Sequence, residues 1–124
     1  KVLFMVEENE IQQIRDAIAN SPFVNDYEFV QSSPWYYELL PKNASKGEGL
    51  MHLADLMNVD RSNTIGIGDN ENDFALVKMA NVGVAVSNAV DEVKEVADFI
   101  TVDNNSSAVA AVIYALDDGE IKFE

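Results

Sequence analysis

No cysteine occurs among the 124 residues. That excludes a disulfide framework, thiolate metal sites and a cysteine nucleophile, and it agrees with a cytoplasmic location. Histidine is nearly absent as well: His52 alone makes no histidine-rich zinc site and argues against a Ser-His-Asp triad. Basic residues are scarce, 8 against 22 acids, and the net charge of −14 argues against nucleic acid and anionic membrane as partners. A phosphate-bearing substrate would meet the same repulsion, so a site for one needs a bound cation and a well-placed lysine. There is no signal peptide and no long apolar span, so the chain reads as soluble and intracellular. A hydrophobic fraction of 48% is enough for a core and excludes wholesale disorder. The length fits one domain or two small pieces of a larger protein. The opening Lys1-Val2-Leu3-Phe4-Met5-Val6 looks like a strand rather than the start of a protein, so a fragment is expected.

Along the chain the apolar periodicity changes character near residue 41. Lys1–Val6 is of strand type. Glu7-Glu8-Asn9-Glu10 then opens a helix with acids in its first turn, where the dipole favours them, and Ile11, Ile14 and Ile18 follow at helical spacing. Asn20-Ser21-Pro22 ends it. Tyr27–Ser32 and Trp35–Leu40 read as strands joined by a turn at Ser33-Pro34. Pro41–Ala44 is of linker type. Ser45 with Glu48 makes a capping box, and Leu50, Leu53, Ala54 and Met57 form the expected apolar stripe of a helix. Strands are expected at 64–68, 82–86 and 99–102, with helices at 74–80, from 88–91 to 97, and 106–116, the last with Val109, Val112, Ile113 and Leu116 on one face. Such alternation predicts a parallel α/β sheet. The segment from Asp117 to Glu124 has a turn at Asp118-Gly119 and no assignable role.

Chemistry concentrates where Thr64-Ile65-Gly66-Ile67-Gly68 runs into Asp69-Asn70-Glu71-Asn72-Asp73. Residue types alone leave two readings open. One is an acidic strand-to-helix turn with Asn72 or Asp73 capping the next helix. The other is a metal and phosphate site at the carboxyl end of a sheet, with Asp69 as a magnesium ligand, Asn72 as a neutral donor to a phosphate oxygen, and Asp73 orienting Lys46 or a metal-bound water. An EF-hand beginning at Asp69 fails, since its glycine would be Phe74 and its closing glutamate Ala80. A dinucleotide fingerprint from Gly66 would need glycine at Glu71. Lys46, at the first helical position, is misplaced against the helix dipole unless an anion sits there, in which case lysine and free N–H groups serve the same anion. Trp35, Tyr36 and Tyr37 suit sheet packing better than a substrate entrance. His52 is a surface or boundary residue. Ser87 and Asn88 follow a strand end and either cap a helix or border the site.

Ser45-Lys46-Gly47, Gly68-Asp69-Asn70-Glu71-Asn72-Asp73, Gly83-Val84-Ala85-Val86-Ser87-Asn88-Ala89 and Ala97-Asp98-Phe99-Ile100-Thr101 stand in an order and spacing that resemble the C-terminal half of a haloacid-dehalogenase (HAD) superfamily phosphatase of the Cof type. The resemblance implies an α/β fold, a partial Rossmannoid parallel sheet with the terminal part of an α+β cap domain. Residues 1–40 would be the end of the cap, 41–116 the C-terminal half of the core, and 117–124 a tail of unknown role. It implies a Mg²⁺-dependent phosphomonoester hydrolase working through an aspartyl-phosphate on a small phosphorylated metabolite, a sugar phosphate or a phosphorylated cofactor. Lys46 then contacts phosphate and nucleophile, Asp69 binds magnesium, Asn72 touches the phosphate and Asp73 is the second acid. The family's Asp-x-Asp signature, source of nucleophile and general acid/base, does not occur in this chain. The chain alone is therefore expected to be inactive. The alternative is a non-catalytic truncated module that self-associates or pairs with another chain, since the strand at 64–68 would lack its usual neighbour and leave an open edge for a dimer or strand exchange.

Overall fold

The computed structural model describes residues 1–123. The chain divides into two compact units, Lys1–Ser45 and Lys46–Glu124. Among the described residues no helix is long and apolar enough to cross a membrane.

In the first unit, β1 (Val2–Met5) leads through a short 3-10 turn (Glu8–Glu10) into α1 (Ile11–Ala19), followed by β2 (Tyr27–Ser33) and β3 (Tyr36–Pro41). The turn is fixed by the Glu7 N–H donating to Glu10 Oε2 at 3.1 Å. The sheet is antiparallel in the order β1-β3-β2, with Phe4 opposite Tyr37 and Val30 opposite Glu38. Tyr37 is buried, stacks on Phe29 with ring centroids 6.3 Å apart, and lies under the Arg15 guanidinium. It is a packing residue, whereas Trp35 sits exposed in the turn before β3 rather than in the strand. Glu38 is buried on β3, where Lys1 Nζ at 2.9 Å and the Ser32 hydroxyl at 2.6 Å partner its carboxylate. Pro41, expected in a linker, is the last residue of β3, a strand end where its missing N–H costs nothing in the ladder.

The second unit holds α2 (Lys46–Met57), a 3-10 turn (Arg61–Asn63), β4 (Ile65–Gly68), a second 3-10 turn (Glu71–Asp73), α3 (Phe74–Met79), β5 (Val82–Val86), α4 (Asp91–Glu95), β6 (Phe99–Thr101) and α5 (Ala108–Asp117). The sheet is parallel in the order β4-β5-β6, with Gly68 beside Ala85 and Val86 beside Thr101. β5 is central and buried at every position, as its continuous Val-rich run requires. Among the described residues β4 pairs with β5 alone, which leaves its other edge without a strand partner. One apolar cluster is built on Val77, Ala85, Val93 and Ala108, a second on Val82, Val84, Val112 and Ile121, and Ile67 packs against both.

Four details differ from expectation. The face α2 buries is Gly47, Met51 and Ala54, while Leu53 and Met57 are exposed. The cause is the close approach of Gly47 to the Ala75 backbone of α3, which turns that stripe inward. α4 is shorter, beginning at Asp91 with Val90 as its cap. On α5, Val109 and Ile113 point away from the core that holds Val112. Residues 117–123, to which the sequence assigned no role, take part in the core: the turn at Gly119, with φ at +72°, returns Ile121 into it at 6% exposure.

Candidate functional site

β4 ends at Gly68, and a Cβ there would lie 2.4 Å from the Cβ of Asp73. Glycine is what lets the following turn fold back under the strand end. Asn70 caps that turn by accepting from the Glu71 N–H at 2.8 Å. Asp73 occupies the N-cap position of α3 yet makes no side-chain cap bond. Its carboxylate is spent elsewhere. Oδ1 accepts from Lys46 Nζ at the first position of α2, and Oδ2 accepts from the Asp69 N–H at 3.1 Å. The helix-capping reading of the acidic turn thus belongs to Asn70, while Asp73 joins Lys46 to Asp69.

The electrostatics follow. Burial pushes the Asp73 carboxyl up, but the hydrogen bond from Lys46, the one from the Asp69 N–H and the ammonium charge together outweigh it and hold Asp73 below the usual carboxylate range. Asp69 is driven the other way: partial burial first, then the hydrogen bond to and repulsion from Asp73, raise it above its ordinary value against the pull of Asn104 and Lys46. Lys46 and Asp73 neutralise each other, so Asp69 carries the uncompensated charge. A carboxylate in that position holds a proton more tightly than usual and has charge left to offer a hard cation. Among the described residues no three His, Cys, Asp or Glu side chains cluster into a metal cage. The turn therefore supplies one carboxylate arm. That fits Mg²⁺, which takes one or two carboxylates and completes its shell with water and phosphate oxygens.

Asp69 and Asp73 open onto a cleft of about 570 Å³, whose other walls include Ile67, Asn104, Val109 and Ile113. Lys46 and Asn72 lie outside its lining. Asn72 shares the 3-10 turn with Asp73 and is partly exposed. His52 is exposed on α2, away from the turn in sequence and without a contact to it among the hydrogen bonds described. Asn88 caps no helix; it pairs with Asn104. Asn104, which reaches Asp69, lies outside every motif considered in the sequence, and a lone asparagine in the polar run Asp103-Asn104-Asn105 carries no spacing that would single it out.

The parallel sheet, with an acidic turn at the carboxyl end of its edge strand, defines a hydrolase-like α/β architecture. Solved structures share it: SMU.1108c of Streptococcus mutans superposes with a TM-score of 0.81 at 28% identity, over 94% of this chain and 44% of that one. In sequence, YxeH of Bacillus subtilis is 36% identical over 116 residues, 94% of this chain and 43% of YxeH. The 5-amino-6-(5-phospho-D-ribitylamino)uracil phosphatase YwtE of the same organism is 36% identical over 83 residues, 67% of this chain and 29% of YwtE. The model of the haloacid dehalogenase-like hydrolase family matches residues 1–113. The chain belongs to that family, and it spans less than half the length of these relatives.

Proposed function

We propose that this chain is the C-terminal part of a Mg²⁺-dependent phosphomonoester hydrolase that acts through an aspartyl-phosphate. The observation that carries the reading is the pair of hydrogen bonds that Asp73 accepts, which ties the Lys46 ammonium and the Asp69 main chain to one carboxylate. Lys46 would bind a phosphoryl oxygen, with Asp73 holding the ammonium in place. Asp69 would hold the ion, and Asn72 would donate to a phosphate oxygen without adding repulsion. A bound Mg²⁺ would supply charge neutralisation for the developing phosphoryl oxygens. Positioning of this kind is most of what phosphoryl transfer asks of a protein. The attacking carboxylate would come from polypeptide outside this sequence, which contains no Asp-x-Asp. Residues 1–40 would be the end of the cap and 41–116 the C-terminal half of the core. A cytoplasmic sugar phosphate or phosphorylated cofactor is the substrate class this reading favours.

The test is turnover of p-nitrophenyl phosphate. The chain alone should be inactive, and mixing it with a relative's N-terminal half should restore turnover, lost again with Asp69→Asn or Lys46→Ala. Activity of the isolated chain that Asp69→Asn abolishes would overturn the split arrangement. The open edge of β4 favours a second reading, a non-catalytic module that dimerises or exchanges strands there. Light scattering that finds a stable monomer at high concentration, together with restored turnover on mixing, would remove it.

A further inference from the structure

Asp69, just past the end of β4, is held from the ends of the other two strands at once. Its C=O accepts from the Val90 N–H at 2.9 Å, beyond β5. Beyond β6, the Asn104 Nδ2 donates to Asp69 Oδ2 at 3.5 Å. The two loops are joined by a reciprocal pair: the Asn104 N–H donates to Asn88 Oδ1 at 3.0 Å, and Asn88 Nδ2 donates to Asn104 Oδ1 at 3.1 Å.

The orientation of both side-chain amides, Asn88 and Asn104, follows from one main-chain group. A backbone N–H can only donate, so the atom of Asn88 facing it is the oxygen. The Asn88 nitrogen then faces Asn104, and the atom of Asn104 that receives it is again the oxygen. The remaining face of Asn104, an NH₂, is left toward Asp69. Two exposed asparagines, each free to flip alone, become a fixed donor when coupled.

We propose that Asn104, locked by Asn88, is the positioning residue of the Asp69 carboxylate: it engages Oδ2 and so sets the orientation in which the carboxylate meets a divalent cation. The inference rests on the reading of Asp69 as the metal ligand. An amide suits the task because it orients the carboxylate without bringing a charge that would compete with the ion, as a lysine there would. At 3.5 Å the contact directs rather than grips. Outer partners of metal ligands commonly act this way.

The probe is Mn²⁺, with free ion counted by electron paramagnetic resonance, and the urea midpoint of each variant measured without metal. Asn104→Ala should weaken Mn²⁺ binding about 10-fold, Asn88→Ala by less, and the double variant no more than Asn104→Ala alone, with metal-free midpoints close to the parent's. If Asp69→Asn abolishes binding and Asn104→Ala binds as the parent does, the positioning role is wrong and the metal reading stands. If Asp69→Asn binds as the parent does, both fall. Additive losses that track lowered midpoints would mean the pair merely fastens two loops, which also overturns the proposal. Should Asn104→Ala not fold, the Asn104 side-chain NH₂ resonance carries the test: Asp69→Ala shifts it if the contact is real and leaves it unmoved if not.

Discussion

Gly47 and Gly49 lie one turn-fraction apart on α2, and the same substitution should move the protein in opposite directions at the two sites. In a helix interior alanine is favoured over glycine by about 1 kcal/mol, less near the first turn. A Cβ at Gly49 meets nothing within 4 Å, so Gly49→Ala should gain most of that increment. At Gly47 the Cβ would lie 2.3 Å from the Ala75 carbonyl oxygen, 2.6 Å from its carbon and 2.7 Å from Met79 Sδ. The methionine can swing away, but the α3 carbonyl cannot move without the helix. To reach ordinary contact α2 must back off α3 by roughly 1 Å, an overpacking that costs about 1–3 kcal/mol. The net for Gly47→Ala is a loss of up to about 2 kcal/mol, and the two variants should differ by the overpacking term, about 1–3 kcal/mol. Urea denaturation measures this directly as separated midpoints at equal slope. Because Lys46 precedes Gly47, the same displacement should weaken the Lys46–Asp73 pair. If both alanines stabilise the protein, α2 and α3 do not meet backbone to backbone and the reasoning is refuted.

Ser107 adopts φ 58° and ψ 47° just before α5, a left-handed conformation that a side chain disfavours. Ser107→Gly should therefore raise stability by up to about 1 kcal/mol, visible as a higher thermal midpoint. Ile121→Ala should cost about 2–4 kcal/mol, because the side chain is packed with Val82, Val84 and Val112; an unchanged midpoint would mean the last residues do not contribute to the core. Asp73→Asn and Asp69→Asn should have opposite signs at neutral pH. The depressed Asp73 gives stability that is present above its unfolded pKa and lost as pH falls through its folded one, so Asp73→Asn costs about 1 kcal/mol after discounting for the half-exposed lysine. The raised Asp69 works in reverse, binding its proton more tightly when folded, so stability declines as pH rises through its elevated value; Asp69→Asn should stabilise and flatten that limb of the pH curve. Equal effects of the two asparagines would contradict the assignment of charge.

The parallel sheet was legible because β-branched runs alternate with capped helical segments, and β4, α3 and β5 lie within a residue of where periodicity puts them. Residue types alone left Lys46 readable as a solvated lysine and the acidic turn as a helix cap; it was the order and spacing of the motifs, through the family resemblance, that grouped Lys46 with Asp69 and Asp73. Packing direction was harder to read. α2 and α5 are apolar on more than one face, so side-chain pattern alone chose Leu53 where a glycine contact chose Met51, and it grouped the exposed Val109 and Ile113 with Val112, which the core does take. Ile121 was illegible because its partners are remote in sequence and a two-residue apolar pair after a turn has no period. Asn104 was illegible for the same reason: its meaning is a bond across 35 positions, and nothing local marks it.

With both oxygens of Asp73 engaged, residues 46 and 73 close a non-covalent ring through α2, β4 and the intervening turns. The first turn of α2 and the main chain at Asp69 then cannot loosen independently. Amide exchange at Gly47 and Glu48 should consequently report on events at the far end of the ring. Protonating Asp73, or engaging Lys46 with an external anion, should speed or slow those two amides together with the amide of Asp69, while amides in α4 keep their own rate.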